Sequence, residues 1–329
     1  MELRVARAVV IEQTGGPEVM KIVDLDVGEP AEGEVRLRVE ASGVNRADQM
    51  MRTGTFAYQP TLPARLGIEA AAVVDAVGPG VTEFSVGDEV LTAAIIAMER
   101  DGTYAEQVIL PVAQVIRRPG GIDAVTGAAL WVAYSTAYGG MIEAGGLLAG
   151  DHGVITAASS SVGLAAIQIA NQLGAVPMAV TRTADKKQAL LDAGAAHVIV
   201  AAHEDVGTAV KAATGGDGAA MVFDPIAGPG LIEVATAVRY GGTVVVYGWL
   251  DTRPALLPTN WPIRVIGYIG TDSTMNLAAR ERILAFLDAG LRAGTIKPTI
   301  DHVFDFDDIV EAHRYLESSD QFGKIVVRL

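Results

Sequence analysis

Hydrophobic and polar positions follow two different patterns along the chain. Up to about residue 120, short β-branched segments are broken by turn signals rich in glycine and proline, which predicts an all-β, barrel-like unit. From about residue 123, apolar runs of four to six residues alternate with helical patterns. Such runs, separated by single helices, are typical of a parallel sheet covered on both faces. They lie at residues 152–157, 176–181, 197–200, 219–224 and 243–248.

The last part of the chain returns to mixed signals. The apolar strand Arg264–Tyr268 precedes an amphipathic helix over Asn276–Ala293, and residues 300–329 predict a strand, a helix and a strand. Helices are also predicted at residues 185–194 and 230–242, the second of them ending at two glycines. We therefore expect the tail to rejoin the first domain, with the α/β unit inserted between.

Composition and charge exclude several classes of protein. The formal net charge of −14 repels phosphate at long range, so neither nucleic acid nor an anionic membrane is an expected partner. The absence of cysteine excludes disulfides, thiolate zinc sites and thiol nucleophiles. Arginines inside the first apolar run do not suit a signal peptide, and polar residues interrupt the uncharged stretch 153–181. A cytoplasmic protein is expected.

The stretch "GVITAASSSVGLAAIQIA", residues 153–170, predicts a buried strand, a turn of small residues and a helix. A dinucleotide-binding turn carries three glycines at set positions. Here only Gly163 matches, in the third position, while Ala158 and Ser160 occupy the first two. The turn is therefore a glycine-poor variant of the fingerprint.

Small side chains at this turn still let a phosphate approach the positive end of the helix, and serine hydroxyls can donate to it. Ser160, Ser161 and Val162 are accordingly the candidate contacts of a pyrophosphate. The alternative is that Ser159 merely caps the helix, since serine is a favoured N-cap residue.

The next strand indicates which dinucleotide is bound. An NAD site has an acid at the end of this strand to accept from the ribose 2′-hydroxyl, whereas a 2′-phosphate requires a basic residue. The strand ends "AVTRTADKKQ", with Arg182 able to fork onto phosphate oxygens and Lys186 able to add a charge. NADPH is favoured, with Thr181 and Thr183 as further candidate contacts. Alternatively, Lys186 and Lys187 form only a solvated helix face.

Five segments spread over nearly the whole chain carry a family resemblance. They read "EVRLRVEASGVNRADQMMRTG", "LGIEAAAVVDAVGPGVTEFSVGDEV", "GTYAEQV", "AASSSVGLAAIQIANQLGA" and "AHRYLESSDQFGKIVV". Together they resemble the zinc-independent quinone oxidoreductase branch of the medium-chain dehydrogenase/reductase superfamily. The resemblance implies an α/β fold in which a Rossmann-type doubly wound parallel sheet, residues 123–267, is inserted into a GroES-like β-barrel catalytic domain, residues 1–122 and 268–329.

The resemblance also bears on metal and substrate. Zinc alcohol dehydrogenases of the same superfamily use a cysteine in the segment that here reads Gly43-Val44-Asn45, and a His-Glu pair where this chain has Ile68-Glu69. The five histidines form no pair typical of a metal site. No metal is expected, so hydride must go to an acceptor that is already electrophilic. That acceptor is a quinone or an α,β-unsaturated carbonyl, whose developing oxyanion needs only a hydrogen-bond donor.

Five residues receive roles from the resemblance. Asn45 and Asp48 would lie beside the nicotinamide, with Asn45 binding the carboxamide or the substrate oxygen and Asp48 orienting its neighbours. Tyr58 corresponds roughly to a family tyrosine near the cofactor, from where it could donate to the substrate oxygen. Thr136 matches a threonine that contacts the cofactor, and Lys324 is a weaker cofactor candidate. Each has a simpler alternative. Asn45 and Asp48 are common turn residues, and Tyr58 could be an exposed packing aromatic. Thr136 could be an ordinary helix residue, and Lys324 a solvated turn lysine.

The remaining expectations concern the sheet and the class of activity. Tyr247 and Gly248 end the predicted fifth strand, on the carboxyl edge where open sheets bind ligands. Relatives with a tyrosine near Ala201 use it to help hold the 2′-phosphate, and its absence leaves the NADPH preference resting mainly on Arg182. The family extends its sheet across two subunits at the strand Arg264–Tyr268, which implies a homodimer. An enoyl-thioester reductase and a non-catalytic NADPH-binding protein remain alternatives.

Overall fold

The computed structural model describes residues 4–93 and 97–329, which divide into two compact units. One unit comprises Met1–Val132 and Pro298–Leu329, and the other comprises Ala133–Lys297. Residues 268–297 were expected in the first domain but cluster with the second unit, because the long helix within them packs there. Gln172 Nε2 donates to the Phe286 carbonyl of that helix at 2.9 Å.

The first unit is mainly β-structure, as the short β-branched segments predict. Its strands up to residue 117 are β1 Arg4–Ile11, β2 Met20–Val27, β3 Glu34–Val44, β4 Ala64–Arg65, β5 Ala70–Val77, β6 Glu89–Thr92, β7 Gln107–Pro111 and β8 Val115–Arg117. Its helices are α1 Arg46–Thr53, α2 Met98–Asp101 and α3 Ala124–Gly127, and α4 Trp131–Tyr138 continues into the second unit. Apolar side chains of these strands and of α1 and α2 share one buried core that includes Val9, Leu37 and Leu66.

The second unit alternates strands and helices. Its strands are β9 His152–Ile155, β10 Val176–Thr181, β11 His197–Val200, β12 Ala219–Asp224, β13 Val238–Val246 and β14 Arg264–Gly267. Its helices are α5 Ser161–Leu173, α6 Lys187–Asp192, α7 Val206–Ala213, α8 Leu231–Ala235, α9 Gly270–Met275 and α10 Leu277–Ala293, with a π-helical turn at Gly139–Ala144. The strands pair in parallel in the order β11-β10-β9-β12-β13-β14. This confirms the Rossmann-type sheet, in which all the carboxyl ends share one edge.

One predicted helix in this unit is wrong. The pattern over residues 230–242 predicted a helix ending at two glycines, but α8 ends at Ala235 and β13 already begins at Val238. The pairing of β12 with β13 shifts register between Ala219 and Met221, opposite the segment that holds Gly241 and Gly242. The glycines therefore lie in an irregular part of a strand rather than ending a helix.

The tail completes the first unit. It consists of β15 Ile300–Asp305, α11 Ile309–Ser318 and β16 Lys324–Arg328. Strand β16 pairs antiparallel with β3, Ile325 opposite Val44, within a sheet of order β15-β16-β3-β5-β6-β8 with β7 also on β3. The strands β2-β1-β4 form a smaller sheet, so the first unit has the β-structure expected of the GroES-like domain. Throughout the described residues, each helix is too short or too polar to cross a bilayer.

Candidate active site

Asn45 lies where β3 passes into α1 and is fixed by three hydrogen bonds. Its Oδ1 accepts from Lys324 Nζ at 2.7 Å. Its Nδ2 donates to the Gly43 carbonyl at 3.1 Å and, more weakly, to Glu69 Oε2 at 3.4 Å. The residue is 9% exposed, so only a small part of its surface is open to a ligand. Its amide orientation is set by the protein rather than by solvent.

The charged partners of Asn45 form a buried ion pair. Lys324 Nζ lies 2.5 Å from Glu69 Oε2, and both side chains are 1% exposed. The second carboxylate oxygen of Glu69 accepts from the backbone amide of Val132 at 2.7 Å. A Cβ at Gly43 would lie 2.3 Å from the Ala128 carbonyl and 2.6 Å from Lys324 Cε, so only glycine fits beside this pair. The alternative of a solvated turn lysine at position 324 is wrong.

This donor set does not fit zinc. Glu69 is paired with an ammonium group, whose positive charge opposes a cation at the same oxygens. Its neighbour Ile68 offers no ligand atom, and Asn45 already gives its oxygen to Lys324. Within residues 4–93 and 97–329, no three histidine, aspartate or glutamate side chains lie together as a metal would require.

Asp48 is enclosed beneath Asn45. Its Oδ2 accepts from the Asn45 amide nitrogen and from the Tyr104 hydroxyl, both at 2.8 Å, and the His313 ring stands edge-on to Tyr104. Burial raises the pKa of Asp48 to about 7, because the loss of solvation outweighs these hydrogen bonds and the nearby Lys324 ammonium. Burial likewise lowers the pKa of His313 to about 3. Asp48 thus orients the backbone at Asn45, from a position with no exposed surface of its own.

The contacts described for Tyr58 are with residues outside this network. Its side chain is 41% exposed, its ring stands edge-on to Phe56 at 5.3 Å, and its hydroxyl lies 3.4 Å from Glu99 Oε2. Partial burial and the Glu99 carboxylate raise the pKa of Tyr58 to about 12. The phenol therefore keeps its proton at neutral pH and can act as a donor.

In the second unit, the turn between β9 and α5 is built around Ser160. Its Oγ accepts from the Gly163 amide at 3.0 Å, so the helix N-cap is Ser160 rather than Ser159. A Cβ at Gly163 would lie 2.6 Å from the Ala158 carbonyl, which explains the one glycine of the fingerprint that is retained. Ala157 takes a φ of 46°, a conformation that glycine adopts without strain. Ser161 and Val162 begin the first turn of the helix.

The end of β10 presents the predicted basic residues. Thr181 is buried and donates to the Thr183 carbonyl at 3.3 Å, while the Thr183 hydroxyl bonds to Asp185. Arg182 is exposed, and its guanidinium has no carboxylate partner in the part of the chain that is described. Its carbonyl accepts from the Ala202 amide at 3.2 Å, which joins the ends of β10 and β11. Lys186 lies half-buried on the following helical turn.

Further along the same edge, Tyr247 and Gly248 follow β13. The Tyr247 ring stacks on Phe223 with a centroid separation of 4.0 Å, and a Cβ at Gly248 would lie 2.9 Å from the Pro225 carbonyl. Thr136, in α4, is half-buried with its hydroxyl 3.0 Å from where a Cβ of Gly270 would lie.

Two buried acids were not among the residues predicted from the sequence. Asp224, at the end of β12, is buried and accepts from the Thr156 hydroxyl and from the amides of Ile226 and Ala227, so it fixes the loop at the sheet edge. The sequence feature that could have indicated Asp224 is an acid at the end of an apolar strand. Glu69 entered the sequence analysis only as the acid of the His-Glu zinc pair, whose histidine is replaced here by Ile68. Its signal would have been an acid in the apolar run "LGIEAAAVV", which requires a buried partner.

Sequence profiles of two known families match parts of the chain. The profile described as zinc-binding dehydrogenase matches residues 193–327. The profile described as alcohol dehydrogenase GroES-like domain matches residues 31–120.

Relatives and solved structures match over the full length. Quinone oxidoreductase of Lama guanicoe is 30% identical over 99% of this chain and 98% of its own. The structure of Escherichia coli quinone oxidoreductase complexed with NADPH is 26% identical with a TM-score of 0.91, covering 98% of this chain and 100% of that one. The structure of an NAD-dependent alcohol dehydrogenase is 31% identical with a TM-score of 0.87, and the match covers 98% of this chain and 99% of that one.

Proposed function

Because the chain belongs to the quinone oxidoreductase branch of the medium-chain dehydrogenase/reductase superfamily, a group of NAD(P)-dependent oxidoreductases, we propose that it reduces a quinone or an α,β-unsaturated carbonyl with NADPH. Bound NADPH supplies the hydride. The protein's part is to hold the cofactor, orient the acceptor and stabilise negative charge on the acceptor's oxygen.

The residues at the sheet edge fit this cofactor. The α5 N-terminus offers amide donors beside small side chains at Ser160, Ser161 and Val162, which suits a pyrophosphate. Arg182 offers an exposed guanidinium without an internal partner among the described residues, which suits a 2′-phosphate. Thr136, Thr181, Thr183, Lys186, Tyr247 and Gly248 are proposed as the further contacts. The chain's charge of −14 makes such a local cation necessary for an anionic ligand.

The residues around Asn45 fit an acceptor that needs no metal. The observation that carries the proposal is that the buried Lys324 ammonium is bound to Glu69 and Asn45, in the region where zinc-dependent relatives carry their ligands. The acceptor's oxygen is then stabilised by hydrogen-bond donors alone. We assign this role to Asn45 Nδ2, whose bond to Glu69 at 3.4 Å is long enough to yield, and to the Tyr58 phenol. Asp48 holds the Asn45 backbone.

A turnover assay tests the proposal. Oxidation of NADPH is followed at 340 nm with 1,4-benzoquinone, with a simple enone and with crotonyl-CoA as acceptors, each against NADH as the alternative donor. Turnover of the quinone or the enone supports the proposal. Turnover of crotonyl-CoA alone would instead establish an enoyl-thioester reductase. Tight NADPH binding without turnover on any acceptor would contradict an enzymatic role and favour a structural or regulatory one.

A homodimer is part of the proposal. Strand β14 lies at one end of the six-stranded sheet, and Val265 within it is exposed. The preceding segment exposes Leu256, Leu257 and Trp261 as well. An apolar edge strand of this kind is suited to pairing with a second copy. Light scattering is expected to give twice the 34.2 kDa chain mass, and Val265→Lys to give the monomer. A monomeric wild type at micromolar concentration would contradict the dimer.

A further inference from the structure

We propose that Lys324 is a positioning residue that acts on the acceptor through Asn45, with Glu69 holding its ammonium in place. The inference rests on the proposed function, since it concerns the donor that stabilises the acceptor's oxygen. It replaces direct cofactor contact as the role of Lys324. The three residues come from three separate parts of the chain, with Lys324 and Glu69 255 positions apart, and β16 brings them together by pairing with β3.

The first step of the argument is the direction of the Asn45 amide. A side-chain amide can adopt two orientations that exchange its oxygen and nitrogen. Only one of them offers an oxygen to the Lys324 ammonium, because the other would point N–H groups at a cation that has no acceptor capacity. Lys324 therefore fixes which end of the Asn45 amide is the donor. The donor end faces Gly43 and Glu69, where its bond to Glu69 is the weaker one.

The second step is polarisation. A hydrogen bond from an ammonium group is charge-assisted, and it draws electron density in the amide toward Oδ1. The Nδ2–H groups of Asn45 become stronger donors as a result. Both side chains of the ion pair are 1% exposed, so little solvent screening weakens the effect. A stronger donor is of most use when negative charge develops on the acceptor's oxygen.

The third step explains why the cation is lysine. Position 43 must be glycine, because a Cβ there would lie 2.6 Å from Lys324 Cε and the lysine stem fills the space. The space holds a thin alkyl stem with a compact charge at its end, and a planar guanidinium is larger. Two of the three ammonium N–H groups are used by Asn45 and Glu69.

A double-mutant cycle on kcat tests the proposal. Lys324→Met keeps the stem and removes the charge, and we expect it to lower kcat with the best acceptor about tenfold while the NADPH Kd changes less than about twofold. In an Asn45→Ala background the same substitution is expected to change kcat less than about twofold, because Lys324 acts through the amide. Independent, multiplicative effects of the two substitutions would overturn the proposal.

A matched control separates positioning from stability. Arg36 in β3 is also a buried cation, paired with Asp75 and Glu29 away from Asn45. Arg36→Met should lower the Tm as Lys324→Met does, yet leave kcat within about twofold. If both variants lose kcat in proportion to Tm, Lys324 is only structural. Lys324→Gln keeps a neutral donor, so an intermediate kcat is expected, and it replaces Lys324→Met if that variant does not fold.

A readout without turnover distinguishes failure of this inference from failure of the proposed function. In ¹⁵N-labelled, deuterated protein, the side-chain amide signals of Asn45 are assigned by their loss in Asn45→Ala. Loss of the charged donor in Lys324→Met, or in Lys324→Gln, is expected to move those signals, whereas Arg36→Met should not. Unmoved signals would refute the inference even in an active enzyme. Moved signals in a protein without turnover would refute only the proposed function.

Discussion

Replacing Arg182 with alanine is expected to raise the NADPH dissociation constant about 10- to 150-fold, while the dissociation constant for NADH stays within about twofold. A hydrogen bond to a charged group is worth about 1.5 to 3 kcal/mol, and Arg182 has no internal carboxylate, among the described residues, that already holds it. NADH lacks the 2′-phosphate, so its affinity reports any general damage to the sheet edge. Both constants can be measured by quenching of protein fluorescence or by calorimetry.

Lys187→Ala is the matched control for the cofactor clamp. Lys187 is exposed at the start of α6, one residue after Lys186, and the alternative interpretation makes both lysines a solvated helix face. We expect Lys187→Ala to leave the NADPH dissociation constant nearly unchanged. If Arg182→Ala changes that constant less than about twofold, Arg182 does not bind the 2′-phosphate and the cofactor preference has another origin.

Replacing Asp48 with asparagine is expected to make the protein relatively more stable as the pH rises from about 4 to about 7. The pKa of Asp48 is raised to about 7 in the folded protein, whereas an aspartate in the unfolded chain has a pKa of about 3.9. The folded protein therefore binds more protons than the unfolded chain in this window, and the stability that Asp48 contributes below pH 4 is lost toward pH 7. Asparagine at position 48 does not ionise. The free energy of unfolding of Asp48→Asn therefore lacks the decrease of up to about 1.4 kcal/mol per pH unit that Asp48 causes in the wild type.

Asp123, whose pKa is lowered in the folded protein, is a control for the pH dependence expected of Asp48→Asn. Asp123 caps α3 through a 2.7 Å bond from the Thr126 amide, and this bond lowers its pKa. Its contribution to stability is present above the unfolded pKa, so the difference between Asp123→Asn and the wild type should stay flat above pH 5. Urea unfolding from pH 5 to pH 8 measures both. A flat difference for Asp48→Asn as well would show that Asp48 is ionised throughout this range.

The sequence predicted the sheet better than the helices that flank it. Strands β10, β11 and β12 begin and end where the apolar runs do, because buried parallel strands are apolar along their whole length. The glycines at 241 and 242 were misread as a helix end, since glycine marks both helix stops and strand irregularities. Ser160 rather than Ser159 caps α5, a difference of one position that local propensity does not resolve.

The environment of Lys324 was not predictable from local pattern. A lysine after glycine, before an apolar strand, has the features of a solvated turn residue. Its burial follows from an antiparallel pairing between β16 and β3 and from an ion pair with Glu69, contacts between residues far apart in sequence. The raised pKa of Asp48 likewise depends on neighbours such as Tyr104, which the chain brings together only on folding.

The pairing of β16 with β3 has a consequence for synthesis of the chain on the ribosome. β3 is made early, but the strand that covers it and supplies the ammonium for Asn45 is made about 280 residues later. Until then, Glu69 lacks its cation and β3 keeps an open edge, while every strand of the Rossmann unit, from β9 to β14, has already been synthesised. The Rossmann unit can therefore assemble co-translationally, whereas the Asn45 site is completed only after β16 has been made.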